Sequence, residues 1–120
     1  MAVKPFEITF FAPGVQLVKW ELENGDTGRP ITSWQYTDTT AQVYGTFGVN
    51  GAVQIEGSND KDVLTAEFAQ LRTVDRLLME FSEDALEQVL EHPYLIRPTC
   101  SSGDGDTALT VIMCMSTTRG

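Results

Sequence analysis

No stretch of this sequence approaches the ~18 consecutive apolar residues that suggest a membrane-crossing helix, so no membrane partner is expected. Its first residues, MAVKPFEITFFAPG, lack the basic, apolar and small-residue segments of a secretory leader, which gives an expectation of synthesis in the cytoplasm with reduced thiols. Histidine occurs once, at His92, and cysteine twice, at Cys100 and Cys114. Neither cysteine lies in a C-x-x-C or Cys/His spacing, so no structural zinc site is expected and both read as small apolar side chains. Basic clusters are missing as well. Eight Lys/Arg stand against 17 Asp/Glu, for a net charge of −9, and such a surface repels the phosphates of a nucleic acid. G-x-S-x-G, the P-loop and G-x-G-x-x-G do not occur, and no nucleophile, base or metal-ligand spacing surrounds His92. The expectation is a protein that is not an enzyme and has no cofactor, catalytic residue or metal.

What is present is a succession of short alternating segments. In Phe6–Phe10 and in Val15–Leu22 apolar and polar side chains alternate with period two, the second placing Val18, Trp20 and Leu22 on one face. A loop of turn formers covers residues 23–30. Trp34 and Tyr36, two apart, are expected to share a face of a short strand. Gln42–Phe47 and Ala52–Glu56 read as strands joined in a hairpin by Val49-Asn50-Gly51, because Asn and Gly tolerate positive φ. Gly57-Ser58-Asn59-Asp60 then bends the chain away.

Residues 61–75 fit either a helical turn or an irregular crossover, and Arg76–Phe81 reads as a strand, with a helix as the alternative. Ser82 can cap a helix over residues 83–90, with Ala85, Leu86, Val89 and Leu90 on one face, Pro93 ending it and His92 at its negative end. Tyr94–Arg97 reads as a strand stopping at Pro98, and residues 101–106 as a turn. In the last strand, Ala108–Met115, both faces are apolar, as expected of a central strand in a two-layer core or one covered by another subunit.

A chain of 120 residues with 42% hydrophobic content suits a single domain over residues 1–120. The pattern predicts an all-β fold with one short helix, an antiparallel jelly-roll β-sandwich of about eight strands. Asp26, Asp104 and Asp106 read as turn formers, with a loop cation as the lesser alternative, and Glu83, Asp84, Asp60 and Asp62 as solvated charges. Trp20, Trp34, Tyr36, Tyr44, Met113 and Met115 are the candidate interface residues, since aromatic and Met side chains in a small sandwich serve either core or subunit contact.

Two resemblances add to this reading. The segment Val53–Asp60, followed by Tyr94-Leu95-Ile96-Arg97 and a last apolar strand, resembles discoidin-like, galactose-binding-like jelly rolls. Gly25-Asp26-Thr27-Gly28, Gly45-Thr46-Phe47-Gly48, Ile55–Asp60, Ile96-Arg97-Pro98 and Gly103-Asp104-Gly105, in that order, resemble small proteins encoded among the head genes of tailed bacteriophages. The second resemblance implies a capsid cement or decoration protein on the virion surface. Its partner would be the major capsid protein and its state a homo-oligomer, dimer or trimer. The alternative is a carbohydrate-binding virion module used in host adsorption, with a glycan as ligand.

Overall fold

The computed structural model describes residues 2–73 and 75–117. They form twelve strands: β1 Val3–Lys4, β2 Phe6–Ala12, β3 Val15–Glu23, β4 Thr27–Gly28, β5 Ile31–Thr32, β6 Asp38–Thr46, β7 Ala52–Ser58, β8 Ala69–Gln70, β9 Glu80–Phe81, β10 Ala85–Val89, β11 Leu95–Ser102 and β12 Ala108–Ser116. Two sheets face each other. One has five strands in the order β10-β6-β12-β3-β2; the other has seven, β1-β4-β11-β7-β8 with β5 on β11 and β9 on β7. Every pairing is antiparallel except the two-residue β1–β4 ladder. The architecture is the antiparallel jelly-roll sandwich that the alternation predicts.

The doubly apolar strand β12 is central, in nine-residue register with both β3 and β6. Val111 lies between Trp20 and Val43, and Met113 between Val18 and Ala41; all six are fully buried. Val53, Ile55, Ile96 and Phe81 of the other sheet, with Met79 just before β9, complete the same core cluster. The Trp20 indole keeps its polar atom satisfied by donating to the Arg29 carbonyl at 3.0 Å. Cys100 lies in this core, whereas Cys114 is on the outer face of the five-stranded sheet; both are free thiols.

Several local expectations give way to tertiary context. No helix occurs among the described residues: 85–89 is strand β10, because the open edge of β6 accepts it in register from Ala85↔Val43 to Val89↔Thr39. Ser82 and its neighbours form a bend instead of a cap, and Asp84 accepts the Gly45 N–H at 3.3 Å. Asn50, at φ 61°, does turn the chain, but from β6 in one sheet to β7 in the other, so 45–56 is an inter-sheet corner and not a hairpin. Trp34 and Tyr36 share no strand. The Tyr36 N–H bonds the Ser33 carbonyl at 3.1 Å in a turn that leaves Trp34 exposed and buries Tyr36. Only Glu80–Phe81 of the segment 76–81 is strand.

Pro98 does not end β11. Its cross-strand partner Ile55 turns its own N–H to Met79 and its carbonyl to Leu71, away from β11, so the 55/98 pair exchanges no hydrogen bond. The nitrogen of Pro98 therefore faces the side where β5 pairs only with residues 95–96 and β4 only with Thr99, a gap in which a missing N–H costs little.

Candidate functional site

A broad concavity among the described residues, about 690 Å³, opens where the β1/β4/β5 margin of the seven-stranded sheet meets β2 and the loop after β7. Its lining is mainly aliphatic and aromatic: Val3, Phe6, Pro30, Ile31, Val63 and Leu64, with Thr27 and Thr32 between them. Gly28 brings the backbone close enough to form the floor. A Cβ there would stand 2.7 Å from the Pro98 ring and 2.8 Å from Trp20, so only glycine lets β4 settle on both. Val3 and Leu64 are 67% and 93% exposed, leaving apolar rim in water.

Two cations enter this apolar setting. Arg97 sits opposite Glu56 across β11 and β7. Its Nε and Nη2 both donate to Glu56 Oε1, at 2.9 and 2.8 Å, and its plane stacks on the Phe68 ring at 3.7 Å. One edge of the guanidinium is thus committed, while Nη1 has no acceptor among the described residues. Arg29 is exposed and lies 5.6 Å over the Phe6 ring, with no carboxylate partner among the described residues. Its backbone is fixed by an N–H bond to Lys4 O at 2.8 Å. A surface of net charge −9 thus carries one apolar groove with two guanidiniums at it. Such a groove recognises an apolar body that ends in an anion.

A second cleft, about 420 Å³, is lined by Ser58, Asn59, Glu67, Gln70, Glu91 and His92 among others. Its polar atoms hold chain segments together: Asn59 Oδ1 accepts the Tyr94 N–H at 3.0 Å, Ser58 Oγ that of Asp60 at 3.1 Å, and Glu91 Oε1 that of Arg72 at 2.7 Å. His92 is exposed here, with no helix dipole to complement. The acidic turns act alike. Asp26 accepts the Glu23 N–H at 2.8 Å; Asp104 accepts from Val49 at 2.8 Å and from Asp106 at 2.9 Å, and these amides hold its carboxyl below its usual range. Among the described residues no group of three or more His, Cys, Asp or Glu is placed to hold a metal ion.

Of the candidate interface residues, Trp20, Met113 and Met115 have no exposed surface and Tyr36 has little; they belong to this chain's own core. Trp34 and Tyr44 are 61% and 39% exposed, but they occupy separate regions, a turn before β6 and the far part of β6. Residues 38 and 44 alone are ~20 Å apart along the strand. The two rings build no common platform. The groove residues Arg29, Arg97, Phe6, Val63 and Leu64 form no motif in sequence, since they come from four segments that only the sheet order brings together.

No protein-family model matches the chain, and no curated protein matches it by sequence. Solved structures do match its fold. A cupin domain from Bordetella pertussis aligns at TM-score 0.50 and 9% identity, over 96% of this chain and 94% of that one. An RmlC-like cupin with a double-stranded β-helix fold from Methanocaldococcus jannaschii aligns at TM-score 0.51 and 14% identity, over 95% and 80%. An oxalate oxidase also aligns, at TM-score 0.48 and 14% identity over 45% of its chain. At these identities the likeness shows the fold and leaves open whether this chain catalyses. It overturns the resemblance to phage cement proteins and to discoidin-like domains, because the matched domains are cupins. The capsid-clamping role and its carbohydrate-binding alternative lose their basis with it. The ordered motifs behind that resemblance lie mostly at turns: Gly25, Gly48 and Gly103 have positive φ where the chain changes direction, a need common to jelly rolls. The chain folds as a cupin-type jelly roll.

Proposed function

We propose that this domain is a non-catalytic binding module whose outer groove takes a small amphipathic organic carboxylate. The observation that carries the reading is the pairing of a 690 Å³ apolar groove with the unpaired guanidinium of Arg29 and the half-committed one of Arg97. The volume lies within the range of small-molecule sites, and a lining of apolar walls with a few polar anchors is their usual composition. The carboxylate would bridge Arg29 and the free edge of Arg97, while the apolar body lies along Ile31, Val63 and Leu64. Burying that body displaces water from a rim that is otherwise exposed. The non-catalytic part rests on the polar groups near the groove: Thr27 Oγ1 is within 3.3 Å of Thr99 Oγ1, and Glu56 is held by Arg97, which leaves no base beside a nucleophile.

Calorimetric titration with octanoate, 1-octanol and acetate tests it. Octanoate binds, 1-octanol binds more weakly by about tenfold, and acetate does not bind measurably. Arg29→Gln removes most of the octanoate preference. Equal binding of octanoate and octanol, or binding unchanged in Arg29→Gln, contradicts the reading.

A further inference from the structure

Strand β2 ends the five-stranded sheet and pairs only with β3, so its other backbone edge has no strand partner among the described residues. Edge strands in soluble proteins are commonly blunted by charge, proline or shortness. Here the run Phe6-Glu7-Ile8-Thr9-Phe10 carries one charge, and proline stands only outside it, at Pro5 and Pro13. Its inward face is also left uncovered. Ile8 and Phe10 lie across from Val18 and Gln16, which are 0% and 4% exposed, yet Ile8 is 38% and Phe10 76% exposed. The edge of this sheet extends beyond its cover.

We infer that β2 is a homodimer interface: a second copy's β2 pairs with it antiparallel about a twofold axis at Ile8, joining the two five-stranded sheets into one. The strand is self-complementary in that register. Ile8 meets Ile8, Phe6 meets Phe10 on the face already apolar, and Glu7 on the other face meets Thr9. Moving the axis one residue, to Glu7–Glu7, sets like charges directly opposite, which the antiparallel ladder disfavours. The register shift between Phe10 and Ala12 and the proline at position 5 confine the ladder to residues 6–10. An isologous pairing of this kind closes on itself and does not propagate into a fibre. A β-strand is the element that pairs along the whole row of N–H and C=O groups of such an edge, and a second β2 also offers matching aromatics without juxtaposed charge.

Sedimentation velocity across a wide concentration range tests the inference. The native chain shifts from the 13.2 kDa monomer toward twice that mass, and more readily at high salt, which screens the repulsion of two acidic subunits. Ile8→Lys keeps the chain monomeric. Thr9→Glu, at an exposed position, sets acid against Glu7 of the other copy at both symmetric contacts and weakens the dimer about fivefold, and Thr9→Lys strengthens it by a similar factor. A monomer at every concentration overturns the inference. A dimer indifferent to Ile8→Lys, or to the sign of charge at residue 9, overturns it too, because the interface then lies elsewhere.

Discussion

Asp104 accepts the N–H groups of Val49 and Asp106 while its own N–H bonds Thr107 Oγ1 at 2.9 Å, and that hydroxyl donates to Phe47 O at 2.8 Å. One carboxylate thus ties the β6–β7 corner to the turn before β12. Gly48, at φ 71°, must be glycine there, because a Cβ would collide with the Asp104 carboxylate. Since the folded state lowers the Asp104 pKa, its contribution is complete above the ordinary value of 3.8 and is lost as pH falls through the lower native value. Amide exchange at Val49 should accelerate in that acid window and not at neutral pH. Asp104→Asn should remove this acid dependence and lower the melting temperature at pH 7. The two thiols offer another residue-scale test. Burial pushes the Cys100 thiol up, against weaker opposing backbone hydrogen bonds, and Cys100 has no exposed surface. Iodoacetamide should label Cys114 in the native protein and reach Cys100 only on unfolding, as peptide mass mapping would show.

At the scale of elements, residues 82–90 show where sequence stops being sufficient. Ala85, Leu86, Val89 and Leu90 satisfy a helical face as well as they satisfy parts of a strand, and Ser82-Glu83-Asp84 resembles a helix start. What decides is the open edge of β6, a non-local partner that no local propensity encodes. The two readings differ in which residues point inward. A helix puts Leu86 and Val89 on one face; the strand buries Val89 at 2% exposure and leaves Leu86 at 66%. Val89→Asp should therefore destabilise by about 3 kcal/mol or more, and Leu86→Asp by less than about 0.5 kcal/mol, in urea unfolding. The same reasoning explains the Asn50-Gly51 turn, which was readable as a turn, although nothing local says that the next strand joins the other sheet. β3 was legible because its alternation runs through nearly all of its nine residues, and β12 because a nine-residue run, apolar on both faces, follows an evident turn. The two-residue strands β1, β4, β5 and β8 were not, since two residues carry no period, and β9 is only the end of the longer strand expected over residues 76–81.

For the whole molecule, the absence of long apolar runs and the repeated short alternations were enough to indicate an antiparallel sandwich, and the seven- and five-stranded sheets carry it out. The family suggested by small glycine and aspartate motifs did not follow from them, because turns of this composition serve many jelly rolls. The groove was invisible for a different reason. Arg29 and Arg97 are 68 positions apart in sequence (97 − 29), and neither lies in a recognisable motif; β4 and β11, adjacent in the sheet, bring them to one concavity. Their electrostatic meaning also depends on the whole chain, since a basic groove is conspicuous only on a surface of net charge −9.

A nuclear magnetic resonance titration of the isotope-labelled protein with octanoate tests that groove most directly, because it reports binding and location together. Saturable shifts should concentrate in the amides of residues 27–32, Val63, Leu64 and Arg97, with the Asn59–His92 cleft unmoved and the response lost in Arg29→Gln. Shifts centred on Asn59, Glu67 and His92, or no saturable shifts at all, would contradict the assignment of the groove as the binding site.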